Sequence, residues 1–353
     1  GNTEQIKSGS TVIPAGTELG AFLIKATMPK LKKFADPSYS FEYMADGPLV
    51  EQDVWDGSAW KQMIFGTAGR GGKAVFAFNS PLNMTSGNKN RIPTENDYRW
   101  EVSLAHMGYM SNSVAAGVTT EGTSILLVNS GHYPDASKSQ KVGLYVLDAS
   151  TGAEIKFIEL PSGYDHGIGL GGITVVRNTA RQIVAAYAGD AGGNLWRFKL
   201  SGASSTWGVS NNQPLFTSPT AQPIYAAPAW QPHPGAAGDS CQAPTAPAGS
   251  CGTIVVVGTG ILLDDTHLSD TSTQSLYGIW DNIPVGGSDV PYHRGTGYSL
   301  VTQNINTASG KAGLGSGLGN TYYTVSKNSV DWTINYGWKL DLGKIANTAG
   351  ERV

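Results

Sequence analysis

The clearest alternation of apolar and polar positions lies at residues 182–200, QIVAAYAGDAGGNLWRFKL. An apolar run at 183–188 enters the turn Gly189-Asp190-Ala191-Gly192-Gly193, and a second apolar and aromatic run follows from Asn194 to Leu200. Short apolar runs joined through glycines, which accept positive φ without steric cost, predict a β-hairpin. The pattern returns at residues 62–79, at 124–152 with a longer connection, and at 253–282. Each copy opens its second strand with an apolar or aromatic pair: Val75-Phe76, Leu144-Tyr145, Leu195-Trp196 and Leu276-Tyr277. Hairpins repeated at irregular spacing predict an all-β chain of β-propeller blades with variable connections. The four hairpins are expected to form the outer strand pair of successive blades, with Leu195, Trp196 and Phe198 buried between blades.

Weaker patterns fill the intervals. Residues 18–29 (ELGAFLIKATMP) predict a strand broken at Pro29, and 26–34 is the best, though short, helical stretch. Residues 47–54 read as a strand with Pro48 at its entrance, where a missing N–H costs least. Short strands are also expected at 113–118, 167–176 and 337–342, and residues 284–324 read as loop or weak strand. Trp207, Pro214-Leu215-Phe216 and residues 224–230 are expected to supply inner strands of the next blade. No separating linker is evident, so residues 1–353 are expected to make one propeller, carrying a Pro/Gly/Ala-rich insertion at 231–252.

Composition agrees with strands and turns: 46 glycines, 14% charged and 9% aromatic residues among 353. Net charge is −3, and no basic run exceeds Lys32-Lys33, so nothing supports nucleic-acid binding, which needs clustered Lys and Arg against phosphate. No stretch approaches the roughly 20 consecutive apolar residues of a membrane-spanning helix. Gly1 opens no signal-peptide pattern, and the chain reads as cut from something longer. The two cysteines, Cys241 and Cys251, lie in the insertion. In a cysteine-poor chain they predict a disulfide and an oxidising compartment, the alternative being two free thiols on a loop.

Candidate chemistry is sparse. GTAGRGGK (residues 66–73) has the glycines of a phosphate loop but links two strands, and Ala74 stands where Ser or Thr belongs. GLGSGLG (313–319) lacks the strand and helix of a dinucleotide fingerprint. Six scattered histidines show no metal-ligand spacing, and neither a serine nucleophile elbow nor a Cys–His pair is present. The cluster Asp264-Asp265…Asp270 reads as a turn capped by its own carboxylates, with Ca²⁺ binding the alternative.

YAGDAGGNLWRFKL (187–200) closely resembles the signature hairpin of the PilY proteins, the tip-associated proteins of bacterial type IV pili. Tyr187, Gly189, Asp190, Gly193, Asn194, Trp196 and Phe198 stand in it. YMADGPLVEQDVW…WKQMIFGTAGRGGKAVFAFN, GHYPD…GLYVLDASTG, PLFTSPTAQPIYAAPAWQPHP, VVVGTGILLDDTHLSDTSTQSLYGIWDN and GWKLDL…GERV follow the family's order, so the resemblance spans nearly the whole chain. It implies the C-terminal, quinoprotein-like β-propeller of such a protein, without enzymatic activity. It further implies roles in pilus assembly, opposition to retraction, twitching motility and surface adhesion. The partners implied are minor pilins and the pilus tip, with a host or surface ligand besides. The location implied is the cell surface, pilus tip, outer membrane or periplasm.

Two departures alter what is carried over. Many members hold calcium in a loop Asp-x-Asn-x-Asp-x-x-x-Asp just before this hairpin. Here the positions are Val176, Asn178, Ala180 and Val184, with Arg177 and Arg181 between them. Only Asn178 retains a ligand oxygen, so no calcium is expected at this loop and no cofactor elsewhere is indicated, although a different calcium site stays open. The family's propeller also has strands before the counterpart of Glu18 and after that of Val353, so an incompletely closed propeller is expected.

Two other functions compete. LYVLDASTG (144–152) resembles the repeat of pyrroloquinoline-quinone alcohol dehydrogenases, also propellers, but it occurs once and Lys156 stands where those enzymes carry tryptophan. A carbohydrate- or host-binding module would use exposed aromatics such as Tyr133, Tyr164 or Trp207.

Overall fold

The computed structural model describes residues 6–8, 11–80, 82–83, 89–90, 92–132, 140–220, 222–235, 251–309 and 321–343. Among the described residues four larger sheets, antiparallel but for one strand, succeed one another along the chain. The first pairs Leu49–Trp55, Trp60–Thr67, Val75–Asn79 and Tyr98–Val102 in that order. The second pairs Ala115–Val118, Ser124–Asn129, Gly143–Asp148 and Glu154–Glu159. In the third, Leu170–Arg177, Ile183–Asp190 and Asn194–Lys199 are followed by Gly208–Val209 and Phe216–Thr217, both on the outer side of Asn194–Lys199. The fourth pairs Ala229–Pro232, Thr253–Gly258, Ser275–Asp281 and Asn335–Asp341, and Ser299–Gln303 joins its edge in parallel. Each sheet is a propeller blade, and the first strands of the first three sheets touch one another.

The hairpins legible in the sequence are not the outer pairs. In the first three sheets they are the middle pair, and in the fourth they are the second and third of five strands. The reason is burial on two sides: Ser124–Asn129 and Ile183–Asp190 are buried at every position, Asn194–Lys199 at all but its last. A strand packed on both faces must be apolar throughout, whereas a strand at the rim or the centre meets solvent on one side and shows a broken pattern.

Three cores lie between neighbouring sheets. Phe65, Val75 and Ala77 of the first sheet meet Leu126, Val128 and Tyr145 of the second. Ile125, Leu127 and Val146, on the opposite face of that second sheet, meet Ile173, Trp196 and Phe198 of the third. Tyr187 and Leu195, on the third sheet's other face, meet Val255, Tyr277 and Ile279 of the fourth. Leu195, Trp196 and Phe198 are therefore fully buried and point alternately into two different cores, as strand geometry requires. Among the described residues no apolar cluster joins the first sheet to the fourth, and the array is not closed.

Two further expectations are corrected. Residues 18–29 form no strand; Lys25–Ala35 instead makes 3-10 turns that contain Pro29. The carboxylate of Glu101, on the first sheet's last strand, accepts the N–H groups of Lys25 and Ala26 at 2.7 Å each and fixes where these turns begin. Ile24 and Ala26 then cover part of the first sheet's outer face at Phe76 and Phe78. Trp207 and Phe216 do not begin the next blade. They finish the outer edge of the third, and residues 229–232 begin the fourth.

Phe198→Ala empties a fully buried aromatic site between the second and third sheets. It should cost about 3–5 kcal/mol in chemical denaturation; a loss below about 1 kcal/mol would show that this packing does not hold the sheets together.

Candidate functional site

The turn of the central hairpin is built around one carboxylate. Asp190 ends the strand Ile183–Asp190 with no exposed surface. Its Oδ1 accepts the backbone N–H of Gly192 at 3.0 Å and of Asn194 at 2.9 Å. Its Oδ2 accepts the Trp196 indole N–H at 2.7 Å and lies 3.0 Å from Nδ1 of His166. Gly193, at φ +90°, lets the chain reverse inside this shell of donors. Gly189 lies so close to Ile224 that a Cβ there would fall 2.1 Å from a side-chain methyl. Asn194 extends the network, donating to the Asp165 carbonyl at 2.7 Å and accepting from the Thr217 hydroxyl at 2.8 Å. These donors converge on one carboxylate, so the turn is an anion cradle filled from within the chain.

The same hairpin is tied to the fourth sheet by buried charge. The Tyr187 hydroxyl donates to Asp281 Oδ2 at 2.5 Å and lies 2.7 Å from the Thr253 hydroxyl. Arg197 Nε donates to the same carboxylate oxygen at 2.7 Å, and its Nη1 to the Ser210 hydroxyl at 2.7 Å. Asp281 Oδ1 accepts the Ile283 N–H at 3.1 Å. Burial, and then the Asp281 charge, push the Tyr187 phenol well above its ordinary range, so it stays neutral. For Arg197 burial works against the charge, but Asp281, Tyr187, Tyr292 and Asp289 together outweigh it and raise the pKa. All members are engaged in holding two sheets in register, which leaves no free nucleophile or base. Sequence reading missed Arg197 and Asp281. Their one signal was a charged residue inside an otherwise buried run, LWRFK and GIWDN.

The other singled-out residues separate into turns. In the loop at Val176, Asn178, Ala180 and Val184, the Asn178 Oδ1 accepts the Gln182 N–H and its Nδ2 donates to Gln182 Oε1, both at 2.9 Å. Arg177 leaves the loop altogether, and its guanidinium donates to the Ala116 carbonyl of the second sheet at 2.8 Å. Asn178 is thus the closing bond of a turn, with Arg181 at φ +63°. The glycine turn at 66–73 is occupied by Asp46, whose Oδ1 accepts the N–H groups of Arg70 at 2.7 Å and Gly71 at 3.3 Å. A phosphate would have to displace that carboxylate. Asp148 of DASTG accepts the N–H groups of Ser150 and Thr151, and Lys156 donates to the carbonyls of Ser204 and Ser205 in the 3-10 turn that follows Asn194–Lys199. The residues that resemble a quinoprotein repeat therefore serve a turn and a sheet contact. Asp264 accepts the Thr266 N–H at 3.0 Å, capping the 3-10 turn Asp265–Ser269.

Of the exposed aromatics expected for a sugar platform, Trp207 is buried and its indole donates to the Gly202 carbonyl. That expectation is corrected. Tyr164 stands edge-on to Trp196, and Tyr133 lies outside the described residues. Cys251 is buried and disulfide-bonded, whereas Cys241, most of the insertion and residues 313–319 lie outside the described residues. Among the described residues no helix is long and apolar enough to cross a membrane.

Near the turns of all four sheets lies His132, buried beside Tyr225, whose hydroxyl is 2.8 Å from its Nδ1. Burial, and then the charge of Arg70, lower its pKa to about 4.

A family model described as the PilY1 beta-propeller domain matches residues 22–314. A type IV pilus biogenesis factor PilY1 homolog of Xylella fastidiosa is 30% identical over 285 residues, covering 78% of this chain and 20% of its own length. PilY1 of Pseudomonas aeruginosa UCBPP-PA14 is 28% identical over 383 residues, covering 96% of this chain and 31% of its own. The crystal structure of the P. aeruginosa PilY1 C-terminal domain superposes with a TM-score of 0.71 at 26% identity, over 96% of this chain and 69% of that one. The chain thus spans about a fifth to a third of the curated relatives it matches.

Two outcomes test the buried groups. Asp281→Ala strands Arg197 without its carboxylate and should cost about 3–5 kcal/mol, whereas Asp281→Leu combined with Arg197→Met should cost less than either single change. A double variant as damaged as the sum of the singles would contradict this. The second test concerns His132, whose native pKa of about 4 lies below the ordinary 6.5. The unfolded chain therefore takes up the proton first. Its stabilising effect is complete above pH 6.5 and is lost as pH falls toward 4, by up to roughly 3 kcal/mol. His132→Gln should flatten the stability profile in that window.

Proposed function

Because the chain belongs to the PilY1 β-propeller family, we propose that it is the propeller of a type IV pilus biogenesis factor and works by protein–protein contact rather than catalysis. Its place would be the pilus tip or assembly site, outside the cytoplasm, where it would favour extension over retraction and so support twitching motility and adhesion. Its direct partners would be minor pilins, with a host or surface ligand a further one. The carrying observation is the match over residues 22–314 together with curated relatives named as type IV pilus biogenesis factors. The chemistry agrees. Buried Arg197 and Asp281 bond to each other, buried Asp190 is filled by donors of its own turn, and the quinoprotein-like segment serves a turn. A propeller also suits contact because it displays loops from every blade on one rigid support.

The test is genetic. Removing the propeller from the whole protein should leave few surface pili while the retraction motor works, and deleting the motor should restore some of them. Normal piliation and twitching without it would overturn the assembly role. Purified protein that oxidised alcohols with added quinone and Ca²⁺ would overturn the non-enzymatic one.

A further inference from the structure

Among the exposed apolar side chains, which also include Phe22, Met28, Phe34 and Phe41, two sets contrast in origin. Leu49, Trp55 and Trp60, at 64%, 41% and 62% exposure, share by register the outer face of the first sheet. No described sheet packs there, so their exposure follows from their place at the end of the array. Leu262 and Leu268, at 60% and 57%, have no such explanation. They lie in the connection between Thr253–Gly258 and Ser275–Asp281, beyond the ends of the strands.

This connection is held in one shape by bonds to distant parts of the chain. Arg70 Nη1, from the turn of the first sheet, donates to the Leu263 carbonyl at 2.7 Å. Gln222 Nε2, from the segment joining the third and fourth sheets, donates to the Thr273 carbonyl at 2.6 Å. Within it, the Asp264 carboxylate caps Thr266, the Ser269 hydroxyl donates to the Thr266 carbonyl at 2.8 Å, and Asp270 accepts the Ser272 N–H at 2.8 Å. Two leucines displayed on a pre-ordered loop lose little conformational freedom on docking. The charge around them is acidic: Asp264, Asp265 and Asp270 lie in the same nine residues, Asp265 exposed, with His267 and Arg70 the nearby basic groups.

We propose that residues 262–270 are a docking knob, Leu262 and Leu268 entering an apolar depression rimmed by Lys or Arg on a minor pilin. This rests on the pilus reading above and adds the surface that carries it. Acidic side chains around an apolar anchor select a basic rim and repel anionic lipid.

The experiment measures binding of the intact chain to purified soluble domains of the minor pilins of the same cell by interferometry at two salt concentrations. Leu262→Ser with Leu268→Ser should weaken binding at least tenfold. Asp265→Lys should weaken it mainly at low salt, and Trp60→Ser, on the first sheet's outer face, should leave it unchanged. Loop variants that bind like the wild type would overturn this site while leaving the pilin reading intact, as would a loss confined to Trp60→Ser. A wild-type chain that binds no minor pilin would overturn the pilin reading and the site together. Leucine-dependent sedimentation with phosphatidylcholine vesicles would reassign the knob to a lipid surface and overturn it as a pilin contact.

Discussion

The central hairpins of the second and third sheets bury both of their faces, and the rest of the molecule depends on that constraint. Ile125 and Leu127 look toward the third sheet while Leu126 and Val128 look toward the first. A sheet of this kind has no solvent side on which to stand alone, so its stability is shared with its neighbours. The ends of the array show the consequence. Residues around Ile24 cover part of the first sheet's free face at Phe76, and Trp332 packs at the far face of the fourth against Ile254 and Trp280.

Apolar contact alone does not choose a relative placement for two such sheets, because it is non-directional. The buried polar groups supply direction. Tyr187 and Arg197 reach one oxygen of Asp281 at 2.5 and 2.7 Å, a geometry available in a single register of third sheet on fourth. Arg177 donating to Ala116 does similar work between third and second, and the Trp100 indole donating to the Ala149 carbonyl between first and second. Burying these charges is costly, and it is offset only because each is met by several donors or acceptors.

The turns of the sheets gather around His132, Arg70 and the Asp264 loop, where side chains from distant parts of the chain meet. A framework locked by inter-sheet bonds lets such turns hold a fixed shape, the property a binding surface needs.

The four hairpins were legible from residue order because period-two burial and glycine turns are local. Residues 183–200 carry both signals within one short window. Asp190 could be recognised as a turn residue, and the likeness to PilY proteins rested on the same segment. What was not legible depended on partners far away in sequence. The 3-10 turns at Lys25–Ala35 fall on the short helical stretch read at 26–34, but they begin where Glu101, 76 positions on from Lys25, receives their first N–H groups, and the strand read at 18–29 does not form. The inner position of the hairpins, read as outer, was decided by strands added on their far side, and Tyr98–Val102, Glu154–Glu159 and Gly208–Val209 are too short or too half-exposed to announce themselves. Arg197 and Asp281 are 84 positions apart, and only the packing of one sheet on the next brings them together. Local pattern therefore determined which segments are strands, and tertiary structure decided their order, their partners and the use made of every buried charge. Burial costs too much for such groups to remain unpaired, but nothing in the order of residues says with whom they pair.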